Sequence, residues 1–132
     1  MIPFICCENQ KLTCKYGLRT HPVTHEHNSF HIGVDIVGDS KIVSPLEGGI
    51  IVGMGYDKLS GNWVKVQYPD DLIVSFCHLK TSSSAKLMGY DLKKNEWFCT
   101  MGDTGRSTGV HCHLTFRKNG EIVDPTTLDF TF

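Results

Sequence analysis

The sequence lacks the features that identify several classes of protein. No apolar run approaches the ~18 residues that a membrane-spanning helix needs. The formal net charge is only -1 and basic residues do not cluster, which excludes an extended nucleic-acid interface. No segment keeps an apolar 3.6-residue period long enough for a stable amphipathic helix. What remains is a chain of 132 residues, which suits a single domain with a modest core.

Signatures of export, disulfide bonding and structural zinc are also missing. Residues 1–8 contain no basic segment and their apolar run stops at Glu8, so they do not resemble a signal peptide. The six cysteines include no Cys-x-x-Cys pair, and the adjacent Cys6 and Cys7 are poorly spaced as zinc ligands. A domain of this length does not need three disulfides, so we expect reduced thiols.

Short β-strand signals dominate what is present. The predicted strands are residues 42–45, 48–53, 63–68, 72–79 and 110–116, most of them rich in β-branched residues or alternating in polarity. Glycine and proline punctuate the gaps, and only residues 82–88 are compatible with a short helix. The pattern predicts a single, mostly β domain of antiparallel strands over residues 16–132. Residues 1–15 carry the least pattern and are predicted to form a loosely packed N-terminal arm.

The segment His31-Ile32-Gly33-Val34-Asp35 is the first that suits a metal ion. In an extended chain, side chains at even separations share a face, so His31 and Asp35 are expected to point the same way. Gly33 leaves space between them, and Ile32 and Val34 are expected to face the core. This spacing predicts two metal ligands on one strand.

The segment His111-Cys112-His113 is the second. Its two imidazoles share a face about 7 Å apart, so one can bind a metal while the other reaches a water on that metal. Cys112 is expected to face the interior as a small apolar residue. It is not interpreted as a nucleophile, because strand alternation points both neighbouring imidazoles away from it.

Together the two segments predict a catalytic metal centre. Two histidines and one carboxylate leave one position of a tetrahedral zinc site open. The same donor set can hold non-haem iron for oxygen chemistry, and the spacing leaves that alternative open. Each residue alone would be interpreted as an ordinary surface or hydrogen-bonded side chain, which is our interpretation of His21, His25 and His27.

These residues resemble the lysostaphin-type (LytM-like) zinc endopeptidases, a family of peptidoglycan hydrolases that includes cell-wall enzymes and phage lysins. Three family motifs occur in order: His31-x-x-x-Asp35, His78-Leu79 and His111-x-His113. The lead-in at residues 16–24, the glycine-rich loop at residues 101–109 and the closing Asp124-Pro125 match as well. The resemblance therefore extends over nearly the whole chain, from about Tyr16 to about Leu128.

The resemblance implies one Zn2+ ion held by His31, Asp35 and His113, with a water in the remaining position. It gives His78 and His111 the catalytic role, since no His-Glu-x-x-His segment supplies a glutamate base. Which histidine deprotonates the water, and which stabilises the oxyanion or protonates the leaving amine, stays open at this level.

The resemblance also implies a fold and a substrate. We expect the lysostaphin-like fold of the duplicated-hybrid-motif type, with a groove walled by loops at residues 53–62, 81–94 and 102–109. A stem peptide or cross-link of peptidoglycan is the expected substrate, contacted by Arg19, Gly105 and Thr108. The lead-in resembles members that cut D-Ala-containing cross-links more than those that cut pentaglycine.

Two positions depart from the family pattern. Phe76 stands where tyrosine is usual, and Thr115 where an acidic residue is frequent. Neither is a ligand, so we expect activity with altered groove contacts. The main alternative is an inactive member that acts as a wall-binding or activator module.

The expected setting of the protein follows from the same resemblance. We expect a phage-type lysin or tail-associated protein, made in the bacterial cytoplasm without a signal peptide. It would act at the cell wall, within a larger phage or wall assembly, and without a nucleic-acid or membrane partner.

Overall fold

The computed structural model describes residues 1–19, 29–81 and 86–132, and only the backbone of residues 18, 19 and 29. Its strands are β1 (Ile2–Pro3), β2 (Lys11–Cys14), β3 (Gly17–Arg19), β4 (Ser29–His31), β5 (Val34–Val37), β6 (Lys41–Val43), β7 (Gly49–Asp57), β8 (Gly61–Tyr68), β9 (Leu72–Leu79), β10 (Asp91–Leu92), β11 (Trp97–Thr100), β12 (Cys112–Lys118), β13 (Glu121–Ile122) and β14 (Phe130–Thr131). A 3-10 helix, Pro125–Leu128, precedes β14. Within these ranges, no helix has the length and apolar character to cross a membrane.

One large antiparallel sheet organises the domain. Its strands lie in the order β10-β7-β8-β9-β12-β5-β2, and β13 pairs with the outer part of β12. Separate two-stranded pairs are formed by β3 with β4 and by β6 with β11. The mostly β, antiparallel fold predicted from the sequence is confirmed, and the central position of β9 and β12 determines where the site forms.

The sequence predicted the central hairpin with few errors. β9 spans Leu72–Leu79, as predicted, and β8 ends at Tyr68 but begins two residues earlier than expected. Val64 and Val66 are fully buried, whereas Gln67 is exposed, so the predicted alternation holds. The strand expected at residues 110–116 begins at Cys112 and runs to Lys118.

The expectation of a loosely packed N-terminal arm is wrong. Phe4 is fully buried, and its ring lies 4.9 Å from that of Phe116 and 5.0 Å from that of Phe130. β1 also pairs in parallel with β14 at the other end of the chain. This packing is entirely non-local, so the weak pattern of the segment gave no sign of it. The short helix considered for residues 82–88 is not formed by residues 86–88, and residues 82–85 lie outside the described residues.

Buried thiols make the fold sensitive to alkaline pH. The six cysteines are present as thiols, and burial raises the pKa of Cys77 from 9.0 to about 11. A raised folded-state pKa stabilises the fold below pH ~9, and this contribution is lost as the pH rises through the folded value. We expect the free energy of unfolding to fall above pH ~9, with Cys77 contributing up to about 3 kcal/mol. Urea denaturation at neutral pH and at pH ~10 should show about half of the Cys77 contribution lost, because pH ~10 lies midway between the two pKa values.

A Cys77→Ala variant provides the control for this alkaline effect. It should show a smaller loss of stability between the two pH values than the parent protein. An unchanged loss in that variant would contradict the assignment to Cys77.

Candidate active site

The first ligand segment is built from two strands rather than one. β4 ends at His31 and β5 begins at Val34, with a bend at Ile32 and Gly33 between them. Val34 is buried, as expected, but Ile32 is 45% exposed, so its predicted core orientation is wrong. Strand alternation therefore does not run through the segment, and a bend returns the chain to the sheet.

Register across the sheet brings the predicted ligands together. Asp35 of β5 lies directly opposite His113 of β12, so the two side chains share a face. The Nδ1 atom of His113 is 2.9 Å from Oδ1 of Asp35. The Nε2 atom of His31 lies 3.3 Å from the same oxygen and 3.0 Å from Nδ1 of His113. Three residues spread over 82 positions of sequence thus converge at one point.

The two predicted catalytic histidines lie beside this cluster. The rings of His78 and His111 are 4.8 Å apart, and the rings of His78 and His113 are 6.2 Å apart. The Nε2 atom of His111 is 3.8 Å from Oδ1 of Asp35. All five predicted metal and catalytic residues therefore occupy one cleft, although their roles stay predictions.

A distorted backbone directs His78 into the cleft. His78 has a φ of 64°, an uncommon value for a residue other than glycine. The pairing of β8 with β9 shifts register here, so that Cys77 and His78 both oppose Trp63. The backbone is held by hydrogen bonds from the His78 N–H to the Ser60 carbonyl and from the Gly102 N–H to the His78 carbonyl. Bulges of this kind redirect side chains next to active sites.

Backbone carbonyls fix the proton positions on three of the histidines. Nδ1 lies 3.0 Å from the Lys15 carbonyl in His31, 2.7 Å from the Thr104 carbonyl in His78 and 2.9 Å from the Gly109 carbonyl in His111. A carbonyl oxygen only accepts hydrogen bonds, so each Nδ1 carries the proton. Each Nε2 atom then presents a lone pair for a metal or a proton.

Burial and hydrogen bonding set the charges in the site. Burial would by itself raise the pKa of Asp35, but the interactions of its carboxylate with the imidazoles of His113 and His31 outweigh it and hold the pKa well below its usual range. Asp35 is therefore an anion at neutral pH. Burial lowers the pKa of His78, against the opposing hydrogen bond to Thr104, so this imidazole is neutral there. The anionic carboxylate of Asp35 is suited to bind a cation, and the neutral imidazole of His78 beside it is suited to act as a base.

The donor atoms fit a small divalent cation. A tetrahedral site with Zn–N bonds of ~2.0–2.1 Å has its ligand atoms ~3.3 Å apart. The three donor atoms of His31, Asp35 and His113 are separated by 2.9–3.3 Å, close to that requirement. The residues therefore fit the zinc ion that the resemblance implies.

The cleft around the cluster has a volume of about 790 Å3. Among the predicted substrate contacts, Thr108 lines the cleft together with Arg106. Gly105, also predicted as a contact, packs against Gly61, and its contact with substrate stays a prediction. Its left-handed φ of 76° and missing Cβ allow this approach. The Arg19 side chain lies outside the described residues.

Two of the three predicted loop walls lie at the cleft. Leu59 and Ser60 line it from residues 53–62, and residues 106, 108 and 109 line it from the glycine-rich loop. The described part of residues 81–94 does not, because β10 pairs with β7 at the opposite edge of the sheet. The strand order, which the sequence did not reveal, places the described part of this segment away from the cleft.

Sequence reasoning missed the groups that support the ligands. Thr115 was expected to alter groove contacts, but it is buried and its Oγ1 lies 2.9 Å from Nε2 of His113. Strand alternation from His113 would have indicated this contact. The backbone carbonyls of Lys15, Thr104 and Gly109 could not be identified from the sequence as partners of the histidines, since every residue carries a carbonyl.

Gly33 permits the close approach of β5 to β12. A Cβ atom at this position would lie 2.0 Å from the Leu114 carbonyl oxygen and 3.0 Å from Cε1 of His113. We expect Gly33→Ala to destabilise the fold by about 1–3 kcal/mol, as overpacking does, and to displace His113. Urea denaturation and zinc affinity measure the two effects. Gly109→Ala, where a Cβ meets nothing within 4 Å, is the stability control, and equal stability of both variants would contradict the clash.

The antiparallel sheet and the clustered histidines and carboxylate define a β domain with a candidate metal centre. The chain belongs to peptidase family M23, whose family model matches residues 29–125.

Curated relatives support this placement. The chain is 29% identical over 119 residues to the DD-carboxypeptidase/endopeptidase Mpg of Neisseria meningitidis serogroup B, covering 89% of this chain and 27% of that protein. It is 30% identical over 114 residues to the peptidoglycan DD-endopeptidase ShyC of Vibrio cholerae, covering 84% of this chain and 25% of that protein. The chain thus spans about a quarter of the length of these relatives.

Solved structures share the fold. The catalytic domain of the antimicrobial peptidase lysostaphin from Staphylococcus simulans superposes with a TM-score of 0.70 at 23% identity, covering 91% of this chain and 92% of that one. A zinc-containing peptidase from Vibrio cholerae superposes with a TM-score of 0.77 at 21% identity, covering 93% of this chain and 38% of that one. The predicted lysostaphin-like fold is confirmed.

Proposed function

We propose that this domain is a zinc-dependent endopeptidase that hydrolyses peptide bonds in the stem peptides or cross-links of bacterial peptidoglycan. The observation that carries the proposal is the convergence of His31, Asp35 and His113 within 2.9–3.3 Å, beside His78 and His111. A structural role would not require two further histidines with lone pairs directed into an open cleft.

The ligand residues would hold zinc through Nε2 of His31, Nδ1 of His113 and a carboxylate oxygen of Asp35. When bound, zinc supplies Lewis acidity, which lowers the pKa of a water and polarises the scissile carbonyl. The Lys15 carbonyl keeps the proton of His31 on Nδ1, and Thr115 contacts Nε2 of His113, so both rings are oriented for the ion.

The pair His78 and His111 would move the protons of hydrolysis. Both hold a proton at Nδ1 through a backbone carbonyl and offer Nε2 as the exchangeable position. One would accept a proton at Nε2 from the attacking water, and the other, after taking up a proton from solvent at Nε2, would stabilise the developing oxyanion or donate that proton to the leaving amine. Because His78 is neutral at neutral pH, it is able to serve as a base without first losing a proton.

The cleft suits an extended peptide. Phe30, Ile32, Leu59 and Val110 are all exposed and all line it, which provides an apolar rim for a chain with small side chains. Arg106 adds a positive charge that is able to contact a peptide carboxylate.

The names of the relatives bear on the bond that is cut. Mpg is named a DD-carboxypeptidase/endopeptidase, and ShyC a peptidoglycan DD-endopeptidase. This agrees with the preference for D-Ala-containing cross-links, rather than pentaglycine, that the lead-in resemblance implies. The phage-type role and the site of synthesis stay predictions.

The alternative of an inactive binding module is less well supported. Such a module would be expected to have lost a ligand or a catalytic histidine, but the chain retains all five and assembles them. An iron oxygenase would use the same donor set, and metal analysis of the purified protein distinguishes it.

Mass spectrometry of fragments released from defined peptidoglycans tests the proposal. We expect cleavage of a D-Ala-containing cross-link, loss of cleavage with a chelator, and recovery with added Zn2+. The matched control is His111→Ala, which should bind zinc without cleaving. Zinc-loaded protein that releases no fragment from any peptidoglycan tested would contradict the proposal.

A further inference from the structure

A bulge at the edge of the sheet directs Cys14 toward the ligand cluster. Along β2 and β5, Leu12 pairs with Ile36, but the next pair is Cys14 with Asp35. Thr13 is therefore the extra residue, and its hydroxyl donates to the Asp35 carbonyl. Regular pairing would have placed Thr13 opposite Asp35; the bulge places a thiol there instead.

The thiol lies within reach of two of the proposed ligands. The Sγ atom of Cys14, a ring nitrogen of His31 and a carboxylate oxygen of Asp35 all lie within 4.8 Å of one another. Cys14 is half-buried and lines the cleft, whereas four of the other cysteines lie in the hydrophobic core. The following residue, Lys15, accepts the hydrogen bond from His31 Nδ1, which ties this part of β2 to the ligand histidine.

From this arrangement we infer that Cys14 is a further ligand of the metal ion, through its thiolate sulfur. The inference rests on the proposed function for the presence of the ion itself. A thiolate binds zinc at ~2.3 Å, so the inference requires that Cys14 adopt a side-chain rotamer that brings its sulfur from the observed separation to that distance. The residues that would hold the ion are then two histidines, one carboxylate and one thiolate, the number of ligands that a tetrahedral zinc site takes.

The consequence is a closed resting form of the site. With sulfur in the fourth position, water and substrate gain access to the ion only when Cys14 withdraws. The edge position of β2 favours such movement, because its outer side has no strand partner in the described sheet. The ligand that closes the site is thus the thiolate of Cys14, which would be displaced by water or substrate entering from the cleft.

Cobalt substitution of the full chain tests the inference without measuring hydrolysis. A thiolate bound to Co2+ gives an intense near-ultraviolet sulfur-to-metal charge-transfer band. We expect this band in the parent protein, its loss in Cys14→Ser and its persistence in Cys77→Ser. Cys77 is the matched control because it is a thiol of the same cleft that is outside the three-residue cluster. Cys14→Ser should also lose cobalt to a chelator more readily.

Three results would overturn the inference: cobalt bound without a charge-transfer band, a band retained in Cys14→Ser, or a band lost in Cys77→Ser alone. A second test needs no variant and therefore also applies if Cys14→Ser does not fold. Bound Zn2+ should protect Cys14 of the parent protein from an alkylating reagent, as measured by mass spectrometry. Unprotected Cys14 with zinc bound would also overturn it. Failure of the proposed function is distinguished by the Cys14→Ser variant, which lacks the closing sulfur: zinc-loaded Cys14→Ser protein that cleaves no peptidoglycan would contradict the proposed function alone, whereas absence of metal binding would overturn both.

Discussion

Replacing His113 with alanine should abolish stoichiometric zinc binding and, with it, peptidoglycan cleavage. His113 is the ligand that contacts both of the others, with Nδ1 2.9 Å from Asp35 Oδ1 and 3.0 Å from His31 Nε2. Loss of a residue that hydrogen-bonds a metal ligand typically lowers the metal affinity by ~10–100-fold, and loss of the ligand itself should lower it further. Zinc content after desalting, measured by elemental analysis, gives the result directly.

The control for this loss is His111→Ala. His111 lies in the same cleft but holds its Nδ1 proton against the Gly109 carbonyl, outside the three-donor set. It should retain one zinc ion per chain while His113→Ala retains none. A folded His113→Ala protein with full zinc occupancy would exclude the proposed ligand set.

Removing either catalytic histidine should reduce turnover by ~10²–10⁴-fold while zinc stays bound. This corresponds to about 3–5 kcal/mol of transition-state stabilisation. The physical reason is that each ring presents Nε2 to the cleft as a proton acceptor or donor, with its other nitrogen fixed by a carbonyl. Rates of fragment release under saturating substrate, together with zinc content, separate this effect from metal loss.

The backbone at His78 decides which variant to use. Because its φ is 64°, asparagine is the better replacement, since it tolerates the left-handed region and removes the imidazole. His78→Asn and His111→Ala should show similar zinc content and similarly low rates. Near-parental turnover in either variant would exclude that residue from proton transfer.

Much of the fold was predictable because its strands are encoded locally. The β8 and β9 hairpin follows alternating polarity and a Pro69-Asp70-Asp71 turn, so its bounds and faces could be predicted from short windows. The burial of Phe4 could not, because its partners Phe116 and Phe130 are more than a hundred positions away along the chain.

The candidate site was predictable in its members but not always for the stated reason. His111 and His113 face the cleft while Cys112 is buried, as alternation predicts. His31 and Asp35 were expected to share a face of one strand, yet a bend separates them. Their meeting depends on the pairing of β5 with β12, a property of the sheet rather than of the segment.

The sequence by itself determined the chemistry available to this protein: the donor types, their order and the alternation that exposes them. These are local properties, set by residue identity and by the two-residue period of a strand. The tertiary structure alone decided which donors meet. Register between distant strands, the bulge that places Cys14 opposite Asp35 and the Lys15 and Thr104 carbonyls that fix the protons of His31 and His78 depend on contacts between remote parts of the chain. No short window of sequence contains those contacts.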